Sequence, residues 1–269
     1  MIKLSASSII EADHGCPTKT HKKYILKKEE APTGVYGSFG RALHNTISTT
    51  IDFGQIDKPE MIQNQWEQDY QKIFKKETEG MSVKGDLQKL GFELLTNWGQ
   101  DMVQRGWNKM KPLMMEKYCL HQLTAEITMS GYIDIVFELD NKIYLVDWKS
   151  QTKYPTQYEL DTSVQLSTYA WFLKQMNIEP DYICLYMLRG NQPLYTQRKE
   201  DDVQKLIDLA EHVHHRLKPD KILAIPNNEN CKWCGYSQEC NAHTNQLAMD
   251  YNKKNDSYEF TENMKNFLN

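Results

Sequence analysis

Residues 131–149 constrain the fold of this chain more than any other stretch. Ile133, Ile135 and Phe137 alternate with their neighbours, Asp140-Asn141 forms a short turn, and Ile143, Tyr144, Leu145 and Val146 follow as an unbroken apolar run. Period-two alternation marks a strand, and a turn this short joins antiparallel neighbours. The spacing predicts a hairpin whose second strand is buried and delivers its polar residues to one end of a sheet.

The flanking patterns extend this to an α/β chain. Residues 4–28 begin with Ser5, Ser7 and Ser8 as helix caps and carry Lys19, Lys22, Lys23, Lys27 and Lys28, a local basic patch. Gly34, Gly37 and Gly40 mark a loop that leads into a helix from Arg41 through Ile47. Ile62, Trp66, Tyr70, Ile73 and Phe74 recur at helical steps, as do Val83, Leu87, Leu90, Leu94, Trp98 and Met102. Strands follow over 113–149, then a helix over 160–177, a buried strand over 182–188, an edge strand over 194–197 and a helix over 202–217. This order implies a mixed central β-sheet flanked by helices.

With 40% hydrophobic residues, the 269-residue chain can bury a sizeable core. Its 32 basic and 36 acidic residues leave a net charge of -4, which excludes a uniformly basic surface for coating a polyanion. Nucleic-acid contact, if made, is local. The longest apolar stretch is about that of 182–188, short of the roughly 20 residues of a membrane span, and residues 1–10 lack a secretory core. The expectation is a soluble intracellular, cytoplasmic protein without membrane association.

The hairpin brings Asp134 on one strand and Asp147 near the end of the next toward one sheet edge. Two carboxylates held close suit Mg²⁺ or Mn²⁺. Lys149 lies two residues beyond Asp147, so it points to the same face and can stabilise charge on a phosphate or help orient an attacking water. A surface ion pair of Asp147 with Lys149 is the plainer reading. On the next helix Gln165 and Tyr169 stand four residues apart on one face, where they could hold a phosphate or a base, or simply pack against the sheet. Glu116 and Glu126 precede or accompany the strand leading to Gly131 and could add an acidic ligand, with neither placed. His212, His214 and His215 spread around their helix as a solvated face.

The cysteines form a second constellation. Cys231, Cys234 and Cys240 follow C-x2-C-x5-C spacing, while Cys16, Cys119 and Cys184 are scattered. Three thiolates leave a tetrahedral centre incomplete, and Cys16 beside Pro17 is the candidate fourth ligand; Cys119 and Cys184 sit in apolar strand patterns as core residues. Spacing alone divides the centre between Zn²⁺ and an iron–sulfur cluster.

Gly131-x-x-Asp134, Asp147-x-Lys149 and Gln165-x-x-x-Tyr169, preceded by His44 in Gly40-Arg-Ala-Leu-His44, together resemble the successive motifs of PD-(D/E)XK nucleases of the RecB type. AddB-type helicase-nucleases, CRISPR adaptation nucleases and eukaryotic exonucleases are related. The similarity spans about residues 4–240. It implies a restriction-endonuclease-like core with a helical insertion, His44, Asp134 and Asp147 as metal ligands, and the Trp148 carbonyl as a further one. It also implies Asp134, Asp147 and Lys149 as catalytic residues, with Gln165 and Tyr169 positioning DNA. Asp147 stands where many relatives carry glutamate, and the shorter arm should move the ion. The same relatives often bind [4Fe–4S] through one N-terminal cysteine and a C-terminal C-x2-C-x5-C, which implies that role for Cys16, Cys231, Cys234 and Cys240, mainly for stability.

On this resemblance the chain divides into N-terminal helices (1–53), a helical insertion or cap (54–110), a nuclease core (111–217), a cysteine loop (218–245) and a polar tail (246–269). The expected activity is metal-dependent hydrolysis of DNA, directed to single strands or ends, in recombination, repair, CRISPR adaptation or phage DNA processing. Lys19, Lys22, Lys23 and aromatics such as Trp107 are expected contacts. The alternative is a catalytically weak DNA-end-binding or adaptor protein stabilised by a cluster or zinc. No G-x-x-x-x-G-K-[ST] occurs in the sequence, so unwinding would need a helicase or recombination partner.

Overall fold

Asp140 and Asn141 both adopt left-handed backbone, with φ of 50° and 58°, the conformation of a type I′ turn that matches the twist of the strands it joins. The computed structural model describes residues 1–30, 34–218, 222, 224, 231 and 234–240; the polar tail expected over 246–269 lies outside them. Two compact units are present, one of Met1–Ile9 with Gly34–His212 and one of Ile10–Thr33 with Val213–Asn269.

The first unit holds a mixed six-stranded sheet flanked by helices. Its strands are β1 (Ile2–Leu4), β2 (Lys111–Gln122), β3 (Ile127–Leu139), β4 (Lys142–Lys149), β5 (Tyr182–Met187) and β6 (Gln192–Thr196). β2 pairs antiparallel along β3, while β1 takes residues 127–129 of β3 in parallel and β4 takes residues 135–139 antiparallel. β3 is therefore shared at its two ends by different neighbours. β5 lies parallel to β4, and β6 closes the edge antiparallel to β5, with Pro193 on the outermost strand where a missing N–H is tolerated.

Helices α3 (Tyr36–Asp52), α4 (Pro59–Asp69) and α5 (Leu87–Gln104) bury Phe39, Trp66 and Trp98 in one apolar core with Phe137, Trp148 and Tyr186 of the sheet. The residues expected as an insertion thus share the core. Gly91 lets α5 approach α4: a Cβ there would lie 2.1 Å from Trp66 Cζ2. The crossover from β4 to β5 carries α6 (Gln157–Asp161) and α7 (Val164–Gln175). Ser163 starts α7 by accepting from the Leu166 amide, so the single helix expected over 160–177 is two.

Other expectations change as well. Residues 2–4 form a strand held by pairing with β3, too short to show a period. Gly37 and Gly40, expected in a loop, lie inside α3, because the spacing of Phe39, Leu43 and Ile47 on its buried face outweighs the roughly 1 kcal/mol that each glycine costs a helix. Val83 precedes α5 and is exposed. The first unit also contains the start of α1 (Ala6–His14), where Ser5 and Ser8 exchange backbone and side-chain hydrogen bonds.

In the second unit, α2 (Pro17–Thr20) continues into a π-helical turn over His21–Ile25. Lys19 pairs with Glu11 at 2.6 Å and Glu30 at 2.9 Å, Lys23 with Glu30 at 2.6 Å and Lys22 with Glu239 at 2.7 Å. The Tyr236 hydroxyl donates to the Lys28 carbonyl at 2.8 Å. The expected basic patch is therefore largely neutralised, by Glu11 and Glu30 that flank it in sequence and by the distant Glu239. No helix among the described residues is long and apolar enough to cross a membrane.

Candidate active site

The site lies where β4 parts from β3. Their antiparallel register ends at Ile135 with Val146, leaving Asp134 and Asp147 beside the point of divergence. There the Trp148 amide donates to Asp134 Oδ2 at 2.9 Å. On the other side of β3, Met115 faces Ile135 and Lys117 faces Ile133, so Glu116 stands across from Asp134. Glu116 has φ of 44°, a left-handed conformation that costs a non-glycine residue about 1–3 kcal/mol.

His44 reaches the same place from α3. Its neighbours Ala42, Leu43 and Ile47 anchor the helix in the core. His44 Nε2 lies 2.9 Å from the Trp148 carbonyl, an acceptor only, so that nitrogen carries the proton and donates it. Nδ1 faces Asp134 Oδ2 at 3.5 Å and Glu116 Oε1 at 3.9 Å. Burial works against an imidazolium here, but the charge of Asp134 outweighs it and raises His44 to about 9. Burial likewise opposes ionisation of Asp134, yet His44 holds that carboxyl below its usual range. Glu116 is raised by burial and by Asp134, and accepts from the Ser48 hydroxyl at 3.3 Å.

A second cluster adjoins the first. Asp147 Oδ2 lies 2.7 Å from Lys149 Nζ, as expected for residues two apart on a strand. Gln165 donates from Nε2 to Asp147 Oδ1 at 3.0 Å and accepts from Lys149 Nζ at 3.0 Å through Oε1, closing a triangle; its Nε2 also donates to the Tyr169 hydroxyl at 2.7 Å. Burial pushes the Asp147 carboxyl up against the opposing field of Lys149. Burial would discharge Lys149, but Asp147 and Asp134 together keep it charged. Tyr169 is raised, chiefly by burial.

Among the described residues, His44, Glu116 and Asp134 offer one nitrogen and two carboxylate oxygens within 4.8 Å of one another. That donor set suits a divalent cation with a preference for oxygen. Asp147 Oδ2, buried and paired with the Lys149 ammonium at 2.7 Å, is a further carboxylate oxygen that adjoins this group without belonging to it. The Trp148 carbonyl already accepts from His44. Of the two glutamates the sequence offers as an added acidic ligand, Glu116 joins the group because strand register sets it opposite Asp134. A cleft of about 500 Å³ opens over these residues, lined also by Ser7, Arg41, Tyr132 and Tyr169. Trp107, expected as a surface contact, is only 4% exposed and packs on Phe137 and Tyr144.

In the second unit, Cys16, Cys231, Cys234 and Cys240 are half-buried and form no disulfide among the described residues. The Cys234 amide donates to the Cys231 carbonyl at 3.2 Å. The Cys234 thiol is raised chiefly by burial, with Cys16 near enough to add to the shift. Cys119 and Cys184 are buried in the sheet.

The sequence pattern of the PD-(D/E)XK nuclease superfamily matches residues 3–241. No curated protein matches the chain. A solved structure described as "Crystal structure of SSO0001" aligns over 90% of this chain and 86% of its own, at 12% identity and a TM-score of 0.42.

Proposed function

The chain belongs to the PD-(D/E)XK nuclease superfamily, and from that premise we propose that it is a Mg²⁺- or Mn²⁺-dependent deoxyribonuclease acting on single strands or DNA ends. The observation that carries this reading is the meeting of His44, Glu116 and Asp134 beside the Asp147–Lys149 pair. His44, Glu116, Asp134 and Asp147 would hold the cation. When bound, it would polarise a phosphoryl oxygen and make a water molecule more acidic.

The chain's own side chains supply the rest. Lys149 keeps its charge despite burial, so its ammonium can oppose the charge that develops on the phosphate under attack. Gln165 fixes Lys149 and Asp147 relative to one another and carries the Tyr169 hydroxyl, giving neutral donors for the substrate backbone. His44, pinned to the Trp148 carbonyl, cannot swing out of the site.

In the second unit we assign Cys16, Cys231, Cys234 and Cys240 to a [4Fe–4S] cluster with a structural role, supported by a soft thiolate set that joins both ends of the chain. Iron content and the absorbance spectrum of anaerobically purified protein test it; stoichiometric zinc in colourless protein would replace the cluster by Zn²⁺.

Cleavage of end-labelled single-stranded DNA with Mn²⁺ tests the nuclease. Activity should vanish with a chelator and in Lys149→Ala. Full activity in Lys149→Ala, or in the presence of chelator, overturns the assignment.

A further inference from the structure

Tyr118 and Tyr132 stand directly opposite one another on β2 and β3, with ring centroids 5.1 Å apart and planes tilted by 49°. They are 42% and 56% exposed, far above Trp66, Trp98 or Trp107, which are buried in the core. A cross-strand tyrosine pair can serve simply to stiffen a ladder. This pair has a second property: Tyr132 lines the same cleft as His44, Glu116 and Asp134.

The register sets the spacing. Tyr118 and Tyr132 are each two residues from Glu116 and Asp134, so the aromatic row lies one strand repeat, roughly 7 Å, from the acidic row. That is the scale of one step along an extended nucleotide chain. A phosphodiester placed at the acids would bring a neighbouring base over exposed aromatic faces. Duplex DNA keeps its base faces stacked inside, whereas an unpaired nucleotide offers one to a protein ring. Tyrosine binds a base without adding positive charge, which suits a chain whose lysines at 19, 22 and 23 are already paired with acids.

Resting on the nuclease reading, we propose that Tyr118 and Tyr132 form a stacking platform for an unpaired base next to the cleaved phosphate, and so select single-stranded nucleic acid. The platform contributes to binding and not to the chemical step.

The test uses the full chain with Mn²⁺ and two single-stranded oligonucleotides of equal length, one with bases and one built entirely of abasic residues with the same phosphates. For the original chain, KM should be about tenfold higher on the abasic strand, the scale of one lost base–aromatic stack. Tyr132→Ala should raise KM about tenfold on the base-bearing strand, leave KM on the abasic strand unchanged and leave kcat within about twofold. Tyr132→Phe should retain the original KM, while Tyr132→Leu, which keeps bulk without a ring, should behave as Tyr132→Ala. Equal effects of Tyr132→Ala on both strands, or none on either, overturn the platform. An original chain that cleaves neither strand overturns the nuclease reading and the platform with it, whereas cleavage with no preference for bases overturns the platform alone.

Discussion

His44 presents Nδ1 to Asp134 Oδ2 at 3.5 Å while its other ring nitrogen is anchored on the Trp148 carbonyl at 2.9 Å. In the metal-free chain a proton on Nδ1 therefore occupies the direction from which a cation would be bound, and proton and cation compete.

With His44 raised to about 9, binding of Mn²⁺ at pH 7 should release about one proton. Apparent affinity should climb with pH and level off near 9. Titration calorimetry in buffers of different ionisation enthalpy measures the released proton, and its absence at pH 7 would remove His44 from the ligand set. The same shift has a stability sign. Raised from 6.5, His44 contributes fully below about 6.5 and loses that contribution as pH rises through about 9. The contribution is at most about 3 kcal/mol. Thermal melts of the metal-free chain across this window should show the decline, and His44→Gln should flatten it.

Lys149→Ala leaves the buried Asp147 carboxylate without its counter-charge. Removing one partner of a buried ion pair costs about 3–5 kcal/mol. Because the folded-state carboxyl of Asp147 is already raised, and rises further without Lys149, protonation relieves the cost at low pH. The drop in Tm relative to the original chain should be larger at pH 8 than at pH 5. An equal drop at both would show that Asp147 is not the group responsible.

Glu116 combines a left-handed backbone with a carboxylate in the site. Glu116→Gly should stabilise the metal-free fold by about 1 kcal/mol while weakening Mn²⁺ binding, whereas Glu116→Gln should weaken binding without the gain. Chemical denaturation paired with a Mn²⁺ titration separates the two effects; unchanged affinity in both variants would exclude Glu116 as a ligand.

Gly91→Ala places a methyl group 2.1 Å from a Trp66 ring that is itself held by its indole N–H bond to the Gln88 carbonyl. Neither side can yield cheaply, and a loss of about 3 kcal/mol is expected in urea unfolding. Gly80→Ala, in open space but at φ of 76°, should cost less, about 1 kcal/mol.

What the amino-acid pattern disclosed was local. The β3–β4 hairpin follows from alternation and a two-residue turn, and the closeness of Asp147 to Lys149 and of Gln165 to Tyr169 follows from strand and helix repeats. Glu116 was legible only as one of two acids that could add a ligand, because its place opposite Asp134 depends on the register of two strands and on a left-handed residue that no glycine or asparagine announces. Trp107 shows that aromatic character alone does not distinguish a ligand contact from a core residue. Lys19, Lys22 and Lys23 read as a patch because the folding that turns the flanking Glu11 and Glu30 and the distant Glu239 onto them leaves no pattern in the sequence.

The paired N-terminal lysines and, separately, the internally balanced charges of the site have a kinetic consequence. Little unbalanced positive charge remains at the N-terminal lysines to steer a polyanion, and in the site the charges of His44 and Lys149 do no more than offset those of Asp134 and Asp147, so a phosphate meets little net attraction at close range. Capture and cutting are then governed by one gate: the divalent ion that would activate the chemistry would also make the local field positive, so depletion of the ion should slow encounter itself before it halts hydrolysis.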